Sequence, residues 1–502
     1  MIAPLVASVG AFLDSTLLAF ANLPVLMQAA PNILRSATIV ERISWIIFAY
    51  FVVVNAFYFL LGLIILTSIK ARRQEGIIDR LPQLHSDLQL PVSIIIPAYN
   101  EQTTIASSVR SIMQLNYSRY EVLIINDGSS DATVAVLIKE FSLVLVHAVY
   151  PINIPTQIVR GVYQSTRYPN LRVIDKLNGG KADALNAGIN YSAYPLFCSV
   201  DADSVLERDS LARVVRPFMK DPSVIATGGT VRPANGCLVQ NGFLVEVSLP
   251  KSLLAKFQVV EYIRAFLFGR LGWSAVNGAL VISGAFGAFR KDAVIAAGGY
   301  RAGTIGEDME LVVRLHRFMR QNQQPYRIAF VPEAICWTEA PEDIQTLRSQ
   351  RIRWQRGLSE SLSSNWGLMF SRNGGVAGHV AFPIMVLFEW LGPIFELSGY
   401  LFMGVTWAVG ITSSKAIAAF LFVSVGLGFL FSISSLLLGE MQFHLYPKKR
   451  HLLIMSIVAG FENFGYRQIN SYWRLLGLYH WLRNGEAAWG QMKRKGEWQL
   501  CI

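Results

Sequence analysis

The chain has 502 residues, of which 52% are hydrophobic and only 16% charged, and it carries a formal net charge of +11. Soluble domains carry roughly 25% charged residues, and the shortfall here is local, confined to apolar regions before residue 70 and after residue 375. No nucleic-acid motif accompanies the basic balance, so nucleic acid is not an expected partner, and the four cysteines show no C-x-x-C spacing that would build a zinc site or a disulfide framework.

Residues 4–26 form a weak first apolar stretch interrupted by Asp14, expected as a span or an interfacial helix. It lacks the basic start of a signal peptide. Residues 43–69 are apolar and uncharged, longer than the ~20 residues that cross a bilayer. Lys70, Arg72 and Arg73 follow at once and mark that end as cytoplasmic.

The central region has an ordinary soluble composition and an α/β pattern. Short β-branched runs at residues 92–96 and 121–125, with further candidates at 172–175 and 197–200, alternate with helical patterns such as Ile105, Val109 and Ile112. That alternation predicts a parallel sheet with crossover helices, whose ligands bind at the carboxyl ends of the strands. No G-x-G-x-x-G or Walker-type phosphate loop is present, so dinucleotide and P-loop chemistry have little support.

Polar clusters collect at those strand ends. Tyr99, Asn100 and Glu101 follow the first run, and Asn126-Asp127-Gly128 ends the second. Asp127 suits hydrogen bonding to a base or ribose, though the same residues make plain turns and caps. Asn178-Gly179-Gly180-Lys181 brings two glycines and a lysine to a helix start, where a phosphate can sit. Asp201-Ala202-Asp203 places two carboxylates at i, i+2, a donor set suited to Mg²⁺ or Mn²⁺ with a diphosphate. Glu307 and Asp308 open a helix; one reading is a dipole partner and the other a general base. Gln350, Arg353 and Trp354 begin a basic, aromatic stretch that fits either a diphosphate clamp with a sugar-stacking ring or a membrane anchor.

Beyond the central region, residues 376–411 are apolar but hold Glu389, Pro393 and Glu396, which predicts a broken or re-entrant helix followed by a span. Carboxylates at such depth face a protein interior or an aqueous path, unless they lie near the interface. Residues 416–438 read as a clean span, with Lys448, Lys449 and Arg450 on its cytoplasmic side, and the tail from Arg467 mixes Trp, Tyr and Arg as an interfacial helix does. The expected division is a transmembrane region at 1–75, a cytoplasmic domain at 90–360, an interfacial and transmembrane region at 361–466 and an amphipathic tail at 467–502.

In the order D, D-x-D, [EG]-D and Q-x-x-R-W, these motifs resemble the processive family 2 glycosyltransferases, which include the cellulose, hyaluronan and poly-N-acetylglucosamine synthases; the last look most similar. The resemblance covers residues 91–357 and the membrane arrangement. It implies a GT-A-like domain inserted between transmembrane helices of a multi-pass cell-membrane protein. It also implies an inverting transfer from UDP-GlcNAc or UDP-glucose that builds a β-linked polysaccharide, with Mg²⁺ or Mn²⁺ and extrusion through the protein's own channel. Carried over, Asp127 binds uridine, with Tyr99, Glu101 and Lys181 lining that pocket. Asp201 contacts the donor and Asp203 ligates the metal. Asp308 is the base, with Glu307 beside it. Gln350 and Arg353 hold the diphosphate, and Trp354 stacks on the acceptor near Ser283 and Gly284. Implied partners are the UDP-sugar, the growing polysaccharide, the lipid bilayer and small accessory membrane or export proteins. Where many members have Thr before Glu-Asp, this chain has Gly306, and Glu261-Tyr262 receives no chemistry. The competing reading is transfer of one sugar to a polyprenyl phosphate, which does not need Gln350 to Trp354.

Overall fold

The computed structural model describes residues 37–78, 89–240, 242–443 and 449–483. The apolar stretch at residues 4–26 and most of the tail expected at 467–502 lie outside them.

The strands are β1 (Val92–Ala98), β2 (Tyr120–Asp127), β3 (Leu143–Val146), β4 (Val159–Ser165), β5 (Leu171–Lys176), β6 (Leu196–Val200), β7 (Val205–Leu206), β8 (Val224–Pro233), β9 (Leu238–Gln240), β10 (Phe243–Glu246), β11 (Phe286–Arg290) and β12 (Arg327–Thr338). β9 and β10 pair apart, and the others form one ten-stranded sheet in the order β3-β4-β5-β2-β1-β6-β11-β8-β12-β7. β1 and β2 read as continuous apolar runs because both faces are covered. Ile94, Ile96, Val122 and Ile124 enter one core, while Ile95, Leu123 and Ile125 enter another on the opposite face. The helix Ile105–Ile112 buries Ile105, Val109 and Ile112, the face its sequence marks.

The sheet departs from the all-parallel expectation. β5, β2, β1 and β6 are parallel neighbours, but β4 runs antiparallel to β5 and β11 antiparallel to both β6 and β8. β11 reads Phe-Gly-Ala-Phe-Arg, with no β-branched residue, and owes its place to pairing on both sides rather than to propensity. The order doubles back at β1: β2 and β5 extend one way and β6 the other, so a crevice opens at the carboxyl ends of these strands.

Seven helices matter for the site. They are α1 (Ala37–Ile78), α2 (Lys181–Tyr191), α3 (Leu253–Arg264), α4 (Glu307–Gln321), α5 (Ile344–Ser364), α6 (Gly392–Ala408) and α7 (Arg467–Leu482). α4 has Glu307, Asp308 and Glu310 in its first turn and Arg320 in its last, matching the helix dipole at both ends. α5 starts where the Asp343 side chain accepts a hydrogen bond from the Thr346 amide, at 2.8 Å.

Ile39–Thr67 and Ser414–Met441 are long and apolar enough to cross a membrane, and a third candidate is Ala377–Trp390 with Gly392–Ala408, bent by 44°. The bend falls just before Pro393, where the missing amide breaks the helix. The two carboxylates of this region are paired by α7. Arg474 meets Glu389 at 3.0 Å, with the Tyr58 hydroxyl donating to the same carboxylate. Arg467 meets Glu396 at 2.9 Å, joined by the Ser471 hydroxyl. α7 does more than lie at an interface: it buries Trp473, Leu475 and Leu478 and packs closely along α5.

Candidate active site

At the end of β2, Asp127 is buried, and its carboxylate accepts from the Gly179 and Gly180 amides at 3.0 and 2.8 Å and from the Lys176 ammonium. Lys176, fully buried at the end of β5, also meets Asp183 on α2. A charge taken out of water requires partners of this kind. Asp127 thus fixes the loop that starts α2. Lys176 does not stand out in the sequence, since a lone lysine ending a strand forms no motif.

Tyr99 is half exposed beside this pocket. Asn100 takes a positive φ of 56° and clasps the following loop, its side chain accepting from the Ser130 amide at 2.8 Å. Glu101 accepts from the Thr104 hydroxyl at 2.7 Å, and its amide donates to Thr133. The loops after β1 and β2 are therefore knitted into one wall.

A second cluster gathers where β6, α2 and α4 converge. Lys181 pairs with Asp201 at 2.7 Å and Glu307 at 3.2 Å. Its ammonium points to these carboxylates, so it links the crevice to α4 rather than sitting with Asp127. Burial works against its charge, but Asp201 and Glu307 outweigh that and raise its pKa. Burial likewise pushes Glu307 up to about 6, with the Asp308 charge adding to the rise and Lys181 opposing it. Asp308 accepts from the Gly284 amide through Oδ2 and from the Met309 amide through Oδ1, each at 2.8 Å. A Cβ at residue 284 would stand 3.0 Å from the Lys181 ammonium and 3.2 Å from Asp308 Oδ2, so a side chain there would push both groups aside by a few tenths of an ångström. Of the pair Ser283 and Gly284, it is the Gly284 amide that meets the carboxylate of Asp308 directly.

Asp203 is nearly buried, and the Thr338 hydroxyl donates to its Oδ2 at 3.3 Å. Among the described residues no three His, Cys, Asp or Glu side chains stand together as a metal cage. Mg²⁺ and Mn²⁺ at diphosphate sites take one or two carboxylates and complete their shell with phosphate oxygens and water. The Asp201–Asp203 pair, all oxygen, fits that donor chemistry.

A third group lies on α5. Gln350 is buried, with its Oε1 sealed from solvent and without a hydrogen-bond partner among the described residues. Arg353 is half-buried, and Trp354 is 46% exposed. The Arg351 guanidinium stacks 4.4 Å over the Trp354 ring while forming a two-pronged ion pair with Glu261. Tyr262 approaches the same ring at 6.5 Å. Glu261, to which the sequence assigns no chemistry, therefore holds the arginine that braces Trp354. α4 and α5 touch at their backbones, because a Cβ on Gly306 would come within 2.9 Å of the Gly357 Cα. That contact is the physical reason for glycine at residue 306.

A family model described as Glycosyltransferase like family 2 matches residues 90–357. Curated relatives include the poly-beta-1,6-N-acetyl-D-glucosamine synthase of Staphylococcus epidermidis, 31% identical over 274 residues, covering 54% of this chain and 55% of the relative. The enzyme of the same name from Staphylococcus aureus (strain COL) is 29% identical over 288 residues, covering 57% and 58%. The chain spans a little over half the length of these relatives. Among solved structures, the mannosyltransferase PcManGT from Pyrobaculum calidifontis, in complex with GDP-Man and Mn²⁺, aligns over 88% of this chain and all of its own, at 16% identity and a TM-score of 0.47. Staphylococcus aureus TarS 1-349 in complex with UDP-GlcNAc covers 76% and 92%, at 12% identity and a TM-score of 0.36. Neither structural likeness is high enough to bear on function.

Proposed function

The chain belongs to glycosyltransferase like family 2, and from that membership we propose that it is an inverting membrane hexosyltransferase that builds a β-linked polysaccharide from a UDP-sugar. The names of the curated relatives favour N-acetylglucosamine as the sugar, hence UDP-GlcNAc as donor and the growing polymer as acceptor. The observation that carries the reading is the convergence of Asp201, Lys181, Glu307, Asp308 and the Gly284 amide at the carboxyl ends of the parallel strands.

Asp127 and the loop it fixes, with Tyr99 and Glu101, form the wall against which the nucleotide docks. Gln350 and Arg353 receive the diphosphate. Mg²⁺ or Mn²⁺, bound through Asp203 with Asp201, would neutralise charge on the leaving diphosphate. Asp308, its carboxylate oriented by the Gly284 and Met309 amides, takes the proton of an acceptor hydroxyl. The hydroxyl oxygen attacks the anomeric carbon as the bond to the diphosphate breaks, and UDP departs with the bonding electrons. One displacement inverts the centre, turning an α-linked donor into a β-linked product. Trp354 offers a face on which the acceptor sugar stacks.

The membrane part of the proposal rests on the apolar helices that flank the catalytic region. Lys449 and Arg450 follow the second of them, and a basic flank marks the cytoplasmic side. The catalytic region then lies in the cytoplasm, where UDP-sugars are made, and the product leaves by way of the membrane helices with accessory export proteins as partners.

The test is to incubate detergent-purified protein with radiolabelled UDP-sugars and Mg²⁺ or Mn²⁺, then size the product. A high-molecular-weight product from one donor supports a processive synthase and names its sugar. Label confined to a polyprenyl phosphate lipid overturns polymerisation. EDTA is expected to stop incorporation and added Mn²⁺ or Mg²⁺ to restore it; transfer that persists in EDTA removes the role given to Asp203.

A further inference from the structure

Tyr466 has no part in the chemistry assigned above, yet it touches the residues that brace Trp354. The chain leaves helical geometry at Phe464 and Gly465, where a φ of 89° favours glycine, and Tyr466 is the first residue past the break, at the entry to α7. Its ring is buried and stacks on Phe257 of α3, with centroids 5.0 Å apart and planes at 28°. Its hydroxyl donates to Glu261 Oε2 at 2.9 Å and accepts from Arg351 Nη2 at 3.4 Å. Arg351 in turn donates to both oxygens of Glu261, at 2.9 and 2.8 Å. One residue from α3, one from α5 and one from the entry to α7 therefore close a ring of hydrogen bonds around a single carboxylate.

The Arg351 side chain is buried, and a buried charge is held in place by its partners rather than by water. Glu261 fixes the guanidinium by two hydrogen bonds, and the Tyr466 hydroxyl fixes Glu261 through Oε2. The guanidinium carbon lies 4.4 Å from the centroid of the Trp354 ring, so it backs one face of that ring, while Trp354 as a whole stays half exposed. We propose that Tyr466 and Glu261 are positioning residues for the acceptor: they lock Arg351 behind Trp354, and the locked indole presents a preorganised surface to the terminal sugar. A ring already held loses less freedom when a sugar stacks on it. The inference rests on the reading of Trp354 as the acceptor's stacking face, and adds the residues that orient it, one of them from beyond the catalytic region.

The test uses full-length, detergent-purified protein with UDP-GlcNAc and a short β-linked N-acetylglucosamine oligosaccharide as acceptor. Tyr466→Phe removes the hydroxyl and keeps the ring that stacks on Phe257. It is expected to raise the acceptor KM about threefold or more, the loss of one hydrogen bond, and Glu261→Gln to raise it further. The donor KM and the affinity for UDP should stay within about twofold of wild type. In a Trp354→Ala background, Tyr466→Phe should have no further effect on the acceptor KM, because the ring it positions is gone. An unchanged acceptor KM in Tyr466→Phe overturns the proposal. So does an equal rise in both KM values, or the same rise with and without Trp354, either of which marks a purely structural contact. If Glu261→Gln loses UDP binding, Tyr466→Phe decides alone by the same comparison. A wild-type acceptor KM in Trp354→Ala defeats the stacking reading itself, and is seen without any change at Tyr466 or Glu261.

Discussion

At the first turn of α4 two adjacent carboxylates have different surroundings. Asp308 receives two backbone amides, and Glu307 receives Lys181 in a buried setting. Asp308→Asn keeps the size and the amide contacts of one oxygen but removes the base, so transfer should fall by about 10²–10⁴-fold while UDP still binds. Rate measurements beside UDP titration check this, and near-normal turnover would strip Asp308 of the role. Glu307 makes a separate, titratable statement. Its folded pKa, raised from 4.5 to about 6, means that the folded chain holds this proton more tightly than the unfolded chain. Stability from this group is present at low pH and is lost as pH rises from about 4.5 through about 6. Against Glu307→Gln, wild type should lose melting temperature over that window; parallel Tm curves would refute it. Asp127, Lys181, Asp201 and Asp308 were legible because their residue types cluster at strand ends and helix starts. Lys176 was not, because what marks it is burial and the distant partner Asp127, and neither is written in local spacing.

Among the elements, the contact of α4 with α5 carries most consequence. Gly306 and Gly357 let the helix of the base and the helix of the clamp meet backbone to backbone. Gly357→Ala places a methyl within 2.9 Å of the Gly306 Cα, where no flexible side chain can yield. The expected result is a loss of about 1–3 kcal/mol of stability, as overpacking gives, with a lower transfer rate and unchanged UDP affinity. Denaturation and single-turnover rates measure both, and a wild-type rate would show that the helices move independently. The parallel strands β1, β2, β5 and β6 were readable as apolar runs, since burial on both faces writes itself into composition. β8, β11 and β12 were not. β8 holds Gly228 and Gly229 in its middle, and β11 has no β-branched residue, so tertiary pairing decides them.

Across the whole molecule, Trp354 stands where the catalytic region meets the apolar helices, half exposed and braced by Arg351 and Glu261. Trp354→Ala should leave UDP binding intact and shorten the polymer, because a stacking face worth about 1 kcal/mol or more is lost from the acceptor path. Product sizing checks it, and unchanged length would make Trp354 a headgroup anchor instead. The membrane segments were legible as long apolar runs. The ion pairs that tie Glu389 and Glu396 to α7 were not, since their partners lie far along the chain. Those pairs complete a continuous linkage. α7 grips α6 through Arg467 and Glu396, lies tightly along α5, and α5 meets α4 through paired glycines beneath Asp308. A bilayer that is too thick or too thin would tilt the gripped helices, and the strain would arrive at the base as a displaced carboxylate. Lipid composition then becomes a mechanical input to the rate, and reconstitution in lipids of graded chain length is a way of turning that dial.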